Sequence, residues 1–253
     1  MITYLMEINT AVILAGGRGT RFKELTDSIP KPMIEVSKKP ILIHIINHYI
    51  AYGVKEVYIL TGYKHQYVVE YFNKKYKRNS DGSFQFNDTA KIIIQNTGIK
   101  TMTGGRIGQF LDKVEVENFF LTYGDGLSNV DIDKLKKHFI RNKTLATVTA
   151  VRPPARFGSL DINGNMVLRF GEKKQVNSGW INGGFFVLNR KVREFIRNNS
   201  EVFEGYPLEQ IAKKESLSAY KHNGFWQCID TIREKEIVET AIKKKEFILY
   251  GQE

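Results

Sequence analysis

The feature that most constrains this chain is an apolar run that ends directly in glycine. Ala11-Val12-Ile13-Leu14 leads into Ala15-Gly16-Gly17 with no polar residue between. A strand that is apolar on both faces needs cover on both faces, which points to a parallel sheet sandwiched by helices. The pattern recurs. Val57-Tyr58-Ile59-Leu60, Ile92-Ile93-Ile94, Phe119-Phe120-Leu121-Thr122 and Ala146 to Val151 read as strands. Helical apolar spacing fills the intervals at Ile41 to Tyr52 (closed by Gly53), His65 to Lys75, Gly105 to Val114 and Asp131 to Asn142. This alternation predicts an α/β fold: a Rossmann-like mixed, mainly parallel sheet with helices on both faces. Such sheets bind ligands beyond the carboxyl ends of their strands. Two glycine-bearing loops, Gly16–Arg21 and Gly124–Gly126, leave strands there, and both are expected on one edge of the sheet.

Beyond residue 150 the character changes to a small β-rich part. Short alternating segments between Phe157 and Glu172 flank Asn163-Gly164, a hairpin signal. Ile181 to Leu188 reads as a strand, Arg190–Arg197 and Pro207–Lys214 as helices, Leu217 to Lys221 as a strand and Thr231 to Lys245 as a closing helix. No Pro-, Gly- or Ser-rich linker separates the halves, so the expectation is one domain over residues 1–253.

Composition excludes several classes. With 42% hydrophobic and 26% charged residues, the chain is folded rather than disordered. Its one cysteine, Cys228, rules out an internal disulfide and a multi-thiolate zinc site, and reads as a small buried hydrophobe. The histidines show no zinc spacing. No apolar run approaches the roughly 20 residues of a membrane span. Residues Met1 to Glu7 carry no basic leader, so the expected location is cytoplasmic, without a membrane partner. The 38 basic against 27 acidic residues leave a net charge of +11, which suits a phosphate-bearing partner. The lysine-rich segments at 74–78, 134–137 and 243–245 are equally well read as solvated helix faces. They form no single stripe with interleaved aromatics, so nucleic acid is not favoured.

Three constellations carry chemistry. Gly16-Gly17-Arg18-Gly19-Thr20-Arg21 follows a strand; its glycines let backbone N–H groups approach a phosphate, and Arg21 adds a planar fork. Alone it is equally a glycine-rich turn with a surface arginine, and it matches neither a Walker loop nor the dinucleotide fingerprint. Pro30-Lys31-Pro32-Met33 then places a lysine in a stiff, extended segment between prolines, able to aim its ammonium back at the loop. Asp125, flanked by Gly124 and Gly126 at a strand end, is placed to hold Mg²⁺ on a triphosphate, or to close a turn on its own backbone. Asp230 is a second carboxylate for that ion, or the N-cap of the closing helix.

Leu14 to Arg21 followed by Pro30-Lys31-Pro32-Met33 resembles the nucleotidyltransferases that make nucleotide sugars. Met102-Thr103-Gly104-Gly105-Arg106, Thr122-Tyr123-Gly124-Asp125-Gly126, Arg156-Phe157-Gly158, Ile181-Asn182-Gly183-Gly184-Phe185-Phe186-Val187 and Gly224-Phe225-Trp226-Gln227 narrow this to the glucose-1-phosphate cytidylyltransferase family, in order from about Ala11 to the final helix. The resemblance implies CTP and a phosphorylated small-molecule acceptor as partners and Mg²⁺ as cofactor. It implies a nucleotide-binding half at about 9–150, and an acceptor-binding half with the closing helix at about 151–253. Leu14, Ala15, Gly16, Gly17, Arg18, Gly19, Thr20 and Arg21 would wrap the CTP, with Lys31 on its phosphates. Thr101, Gly104, Gly105, Arg106 and Gly124 would complete the nucleotide site, with Gly104 and Gly105 offering backbone groups to the pyrimidine edge. Asp125 and Asp230 would hold the metal, while Arg21 and Lys31 stabilise the leaving pyrophosphate. Glu172 and Lys173 would meet the acceptor, near Asn182 and Gly183. The implied product is CDP-glucose or a relative, feeding surface-polysaccharide synthesis.

The chain departs from the family's pattern at Glu172-Lys173-Lys174-Gln175, where a proline and a second lysine are lost, and in a shorter stretch between Phe72 and Thr97. Trp180 is a bulky neighbour of the acceptor side, or ordinary core. Two other readings follow: the same transfer to a different phosphorylated acceptor, and a non-catalytic nucleotide- or nucleic-acid-binding protein. Homo-oligomer formation is left open.

Overall fold

The computed structural model describes residues 7–19, 28–153, 159–163, 165–171, 179–247 and 250. The first half runs β1 (Thr10–Ala15), a 3-10 turn (Lys31–Met33), β2 (Glu35–Val36), β3 (Lys39–Pro40), α1 (Ile41–Ala51), β4 (Glu56–Thr61) and α2 (His65–Lys75). It continues with β5 (Lys77–Arg78), β6 (Phe84–Gln85), β7 (Lys91–Asn96), α3 (Thr103–Leu111), β8 (Asn118–Tyr123), β9 (Gly126–Ser128), α4 (Ile132–Asn142) and β10 (Ala146–Val151). The second half holds β11 (Ser159–Asn163), β12 (Met166–Gly171), β13 (Ile181–Asn182), β14 (Phe186–Asn189), a 3-10 segment (Arg190–Phe195), α5 (Tyr206–Lys213), β15 (Leu217–His222), β16 (Trp226–Cys228) and α6 (Ile232–Lys243).

The expected α/β architecture is the observed one. β7, β4, β1 and β8 lie side by side and parallel, with Val12 beside Tyr58 on one flank and Leu121 on the other. β14 then runs antiparallel to β8, β10 antiparallel to β14, and β15 parallel to β10. All six residues of β1 are buried. Its side chains alternate between two cores: Ala11 and Ile13 pack with α1, α2, α4 and α6, and Val12 and Leu14 with α3, α5 and the 3-10 segment. Burial on both faces is why these strands read as unbroken apolar runs. The chain runs outward from β1 through β4 to β7, then returns to place β8 on the other side of β1. That reversal opens a crevice beyond the carboxyl ends of β1 and β8, where α/β sheets bind ligands.

Several elements differ from the sequence expectation. The helix expected at Gly105 to Val114 runs from Thr103 to Leu111. Arg190 to Phe195 is 3-10 rather than α. Lys31 is not extended: Pro30 is, and Lys31 opens a single 3-10 turn in which Met33 N–H donates to Pro30 O at 2.8 Å. The strand expected over Ile181 to Leu188 is broken. β13 and β14 both pair with β10, but the register slips between Asn182 and Val187. Phe185 sits there at a φ of 48°, in the left-handed region. It is held by Thr149 Oγ1, which donates to Phe185 O at 2.7 Å, and by Thr122 Oγ1, which accepts from Phe185 N–H at 3.3 Å. Two buried histidines anchor α1: His44 Nε2 donates to Val36 O at 2.8 Å and His48 Nε2 to Val130 O at 2.9 Å. Burial, foremost, pushes the His48 imidazole down to about 4.

Candidate active site

The loops after β1 and β8 do share one edge of the sheet, stitched by Gly124 N–H donating to Leu14 O at 3.0 Å. They flank a cavity of about 350 Å³. Leu14, Ala15, Gly16, Gly17 and Gly19 form one wall, Thr101 and Arg106 another, and Lys31, Gly124, Asp125 and Asp230 the floor. Arg18 is exposed. Thr20, Arg21, Arg156, Glu172 and Lys173 lie outside the described residues.

Lys31 is buried and bonded to both candidate metal carboxylates, at 2.6 Å from Asp125 Oδ2 and 2.5 Å from Asp230 Oδ1. Burial works against a charged lysine. The charge of Asp125, with Cys228 and the two carboxylate hydrogen bonds behind it, more than offsets that and holds the ammonium above its ordinary value. The two aspartates are 105 positions apart in sequence, and a three-residue ladder brings them together. β9 and β16 pair with Gly126 opposite Cys228, and Ile229 N–H donates to Asp125 O at 2.8 Å. The reading of Asp230 as a helix cap does not hold: Thr231 caps α6, accepting from Glu234 N–H, while Asp230 turns its carboxylate to Lys31. Donor atoms of Asp125, Asp230 and Cys228 lie within 4.8 Å of one another. Two carboxylates converging on one ammonium form a locus that already holds a positive charge, and their oxygens suit a hard divalent ion. The residues therefore fit the Mg²⁺ that the resemblance implies. Burial, then Asp125, pushes the Cys228 thiol up to about 12, so it stays protonated beside them.

Arg106 lies beneath the first loop. Only 4% exposed, it donates to Thr61 O at 2.9 Å, to Gly16 O at 3.0 Å and to Thr97 Oγ1, joining the chain at the carboxyl ends of β4, β1 and β7. Burial pulls its pKa down to about 10, and it remains charged near neutrality. Thr101 Oγ1 donates to Thr97 O at 2.5 Å, tightening the same corner. The N–H groups of Gly104 and Gly105 are engaged within the protein. Both N–H groups donate to Glu201 O, at 2.9 and 3.3 Å. A Cβ on Gly105 would lie 2.4 Å from Asn199 O, and one on Gly104 2.8 Å from Glu201 O. These glycines let the 199–201 backbone close over the start of α3.

A second cavity, of about 990 Å³, meets the first at Tyr123, Asp125 and Asp230. Asn182 and Gly183, expected near the acceptor, line it. Trp226 Nε1 donates to Gly183 O at 2.7 Å. Trp180 is half-buried, with the Arg152 guanidinium 4.5 Å and the Lys221 ammonium 5.5 Å from its ring centre, so it is not simple core. Sequence reasoning missed Tyr123, Thr103 and Glu204 as site residues. Tyr123 lay inside a quoted motif, two positions before Asp125, which was the available signal; Glu204 had none.

The nucleotidyl transferase family model matches residues 10–233. A glucose-1-phosphate cytidylyltransferase of Salmonella typhimurium is 40% identical, over 92% of this chain and 96% of its own. A Bacillus subtilis protein described as a probable glucose-1-phosphate cytidylyltransferase is 42% identical over 88% and 92%. Among solved structures, HddC from Yersinia pseudotuberculosis superposes with a TM-score of 0.69 at 26% identity, covering 93% of this chain and all of that one.

Proposed function

The chain belongs to the nucleotidyl transferase family, in its glucose-1-phosphate cytidylyltransferase branch, and from that premise we propose that it transfers CMP from CTP to glucose 1-phosphate, giving CDP-glucose and pyrophosphate. The observation that carries this reading is the meeting of two cavities over one pair of carboxylates. A triphosphate in the smaller cavity and a phosphate monoester in the larger would face each other across Asp125 and Asp230.

In the transfer, an oxygen of the acceptor phosphate forms a bond to the α-phosphorus of CTP. The bond from that phosphorus to the bridging oxygen breaks, and its electron pair leaves with pyrophosphate. The attacking oxygen is already anionic, so no proton is removed and no covalent enzyme intermediate is needed. The protein's work is alignment and charge neutralisation. Asp125 and Asp230 would hold Mg²⁺, which when bound supplies positive charge between the reacting phosphates. Lys31 lines the nucleotide cavity, and its ammonium would offset charge on the nucleotide's phosphates. Arg21 would join it on the leaving pyrophosphate, and Glu172 and Lys173 would hold the acceptor, with Asn182 and Gly183 on the cavity wall. A lysine buried between two carboxylates where two cavities join supports the catalytic reading over a purely binding one.

Pyrophosphate release from CTP, UTP, dTTP, ATP and GTP, each with glucose 1-phosphate and other sugar and non-sugar phosphates, tests the reading. CTP with glucose 1-phosphate should lead, stop with chelator and resume with Mg²⁺. Equal rates with UTP would overturn the cytidylyl assignment. An inert glucose 1-phosphate beside a reactive relative would move the acceptor.

A further inference from the structure

Glu204 stands where the two cavities share a wall, at the end of the loop that precedes α5, and both of its carboxylate oxygens are engaged. Oε1 accepts from Tyr123 OH at 2.5 Å and Oε2 from Thr103 Oγ1 at 2.6 Å. Tyr123 OH in turn accepts from Asn182 Nδ2 at 3.1 Å. Thr103 Oγ1 also accepts from Phe203 N–H at 2.9 Å, tying the carboxylate's own loop to the first turn of α3. Thr103 lines the nucleotide cavity, Tyr123 lines both, and Glu204 and Asn182 line the acceptor cavity. A continuous chain of hydrogen bonds, Thr103–Glu204–Tyr123–Asn182, thus runs from one cavity to the other.

We propose that Glu204 is a positioning residue that makes these two walls one unit, so that nucleotide bound against Thr103 strengthens acceptor binding against Tyr123 and Asn182; this rests on the two-substrate reading above. Two physical points support it. The carboxylate is the only member that accepts from two hydroxyls at once, and O–H···O⁻ bonds of this length are the stronger, charge-assisted kind. Asn182 is fixed from both ends of its amide: Nδ2 on Tyr123, and Oδ1 accepting Gly184 N–H at 2.8 Å. Asn182 opens the irregular stretch between β13 and β14, so any displacement of Tyr123 is transmitted to the acceptor wall. A ligand that stiffens one end of such a chain lowers the ordering cost at the other.

The test uses CTP with a methylene bridge between its α- and β-phosphorus, which binds without reacting. Calorimetry gives the dissociation constant of glucose 1-phosphate with and without this nucleotide, for wild type, Glu204→Gln and Tyr123→Phe. Wild type should bind glucose 1-phosphate at least about fivefold more tightly with nucleotide present. In both variants that factor should fall to about one, while affinity for the nucleotide alone changes far less. In parallel, amide hydrogen exchange over residues 181–186 should slow on nucleotide addition in wild type and not in Glu204→Gln. Tyr123→Phe keeps the carboxylate and the ring and removes only the hydroxyl with its bonds to Glu204 and Asn182, so it separates the link from a general folding defect. A coupling factor that survives Glu204→Gln, or wild-type exchange at 181–186 that ignores nucleotide, overturns the proposal. If glucose 1-phosphate fails to bind wild type at all, the acceptor assignment fails, and the exchange result with nucleotide alone decides the role of Glu204.

Discussion

Replacing Arg106 with Met should destabilise the protein by about 2–4 kcal/mol before any substrate is present, because the guanidinium ties three strand ends together. It makes three hydrogen bonds to neutral acceptors. Bonds to a charged group are worth about 1.5–3 kcal/mol each. Against them stands the cost of burial, seen in the fall of its pKa from 12.5 to about 10, which corresponds to roughly 3 kcal/mol. The backbone acceptors are not orphaned by the change: Thr61 O also receives Thr97 N–H at 2.9 Å, and Gly16 O receives Tyr63 N–H at 3.1 Å. The net loss therefore stays in the lower part of what three severed bonds would give. Urea unfolding of the free protein, followed by circular dichroism, measures it directly. Arg106→Lys should recover less than half, since one ammonium cannot span three acceptors set for a planar fork. The KM for CTP should rise in both variants, because the Gly16 loop loses its underside support. An unfolding free energy within about 0.5 kcal/mol of wild type, with the KM for CTP sharply raised, would refute the reasoning and return Arg106 to direct nucleotide contact.

Further outcomes follow from the same geometry. Asp125→Ala and Asp230→Ala should each remove most turnover at saturating Mg²⁺ while leaving the far-ultraviolet spectrum intact; near-normal steady-state rates in either variant would remove that carboxylate from the metal site. Gly105→Ala should cost about 1–3 kcal/mol in urea unfolding, since its Cβ would strike the Asn199 backbone rather than a flexible side chain. His48, whose pKa burial depresses from 6.5 to about 4, takes a proton more readily unfolded than folded. Its stabilisation is whole above pH 6.5 and drains as the pH falls to 4, roughly 3 kcal/mol in all. His48→Gln, which keeps a donor for Val130 O, should flatten that part of the stability profile, and an unchanged slope would count against it.

The parallel half of the fold was legible because its signals are local. Val12 and Leu14 are buried on one face and Ala11 and Ile13 on the other, so β1 announces itself as an apolar run. Lys31 and Asp125 were legible for a related reason, since prolines and glycines mark where a chain turns towards a ligand. What stayed hidden depends on pairings between distant segments. Nothing near Asp230 in sequence says that Cys228 will lie opposite Gly126. Nothing near Glu204 says that it will meet hydroxyls at positions 103 and 123. A glycine kept for close approach looks the same in sequence whatever group approaches, and at Gly104 and Gly105 the near neighbours are the backbone at Asn199 and Glu201. The irregularity at Phe185 was hidden for a third reason: a buried aromatic at positive φ is tolerated only because Thr149 and Thr122 hold it there.

The short β9–β16 ladder has a consequence for the order in which the molecule comes to life. β1, β4, β7 and β8 all come from the first half of the chain, and sequential βαβ units form with modest loop closure. The join between Asp125 and Asp230 must wait for a segment 105 positions further along the chain. Until that segment arrives, Lys31 has Asp125 as a partner and lacks Asp230. On refolding from denaturant, helical signal should return ahead of turnover, and the interval between them times the docking of the tail. Closing the ladder that brings these two carboxylates together is thus a late step of folding.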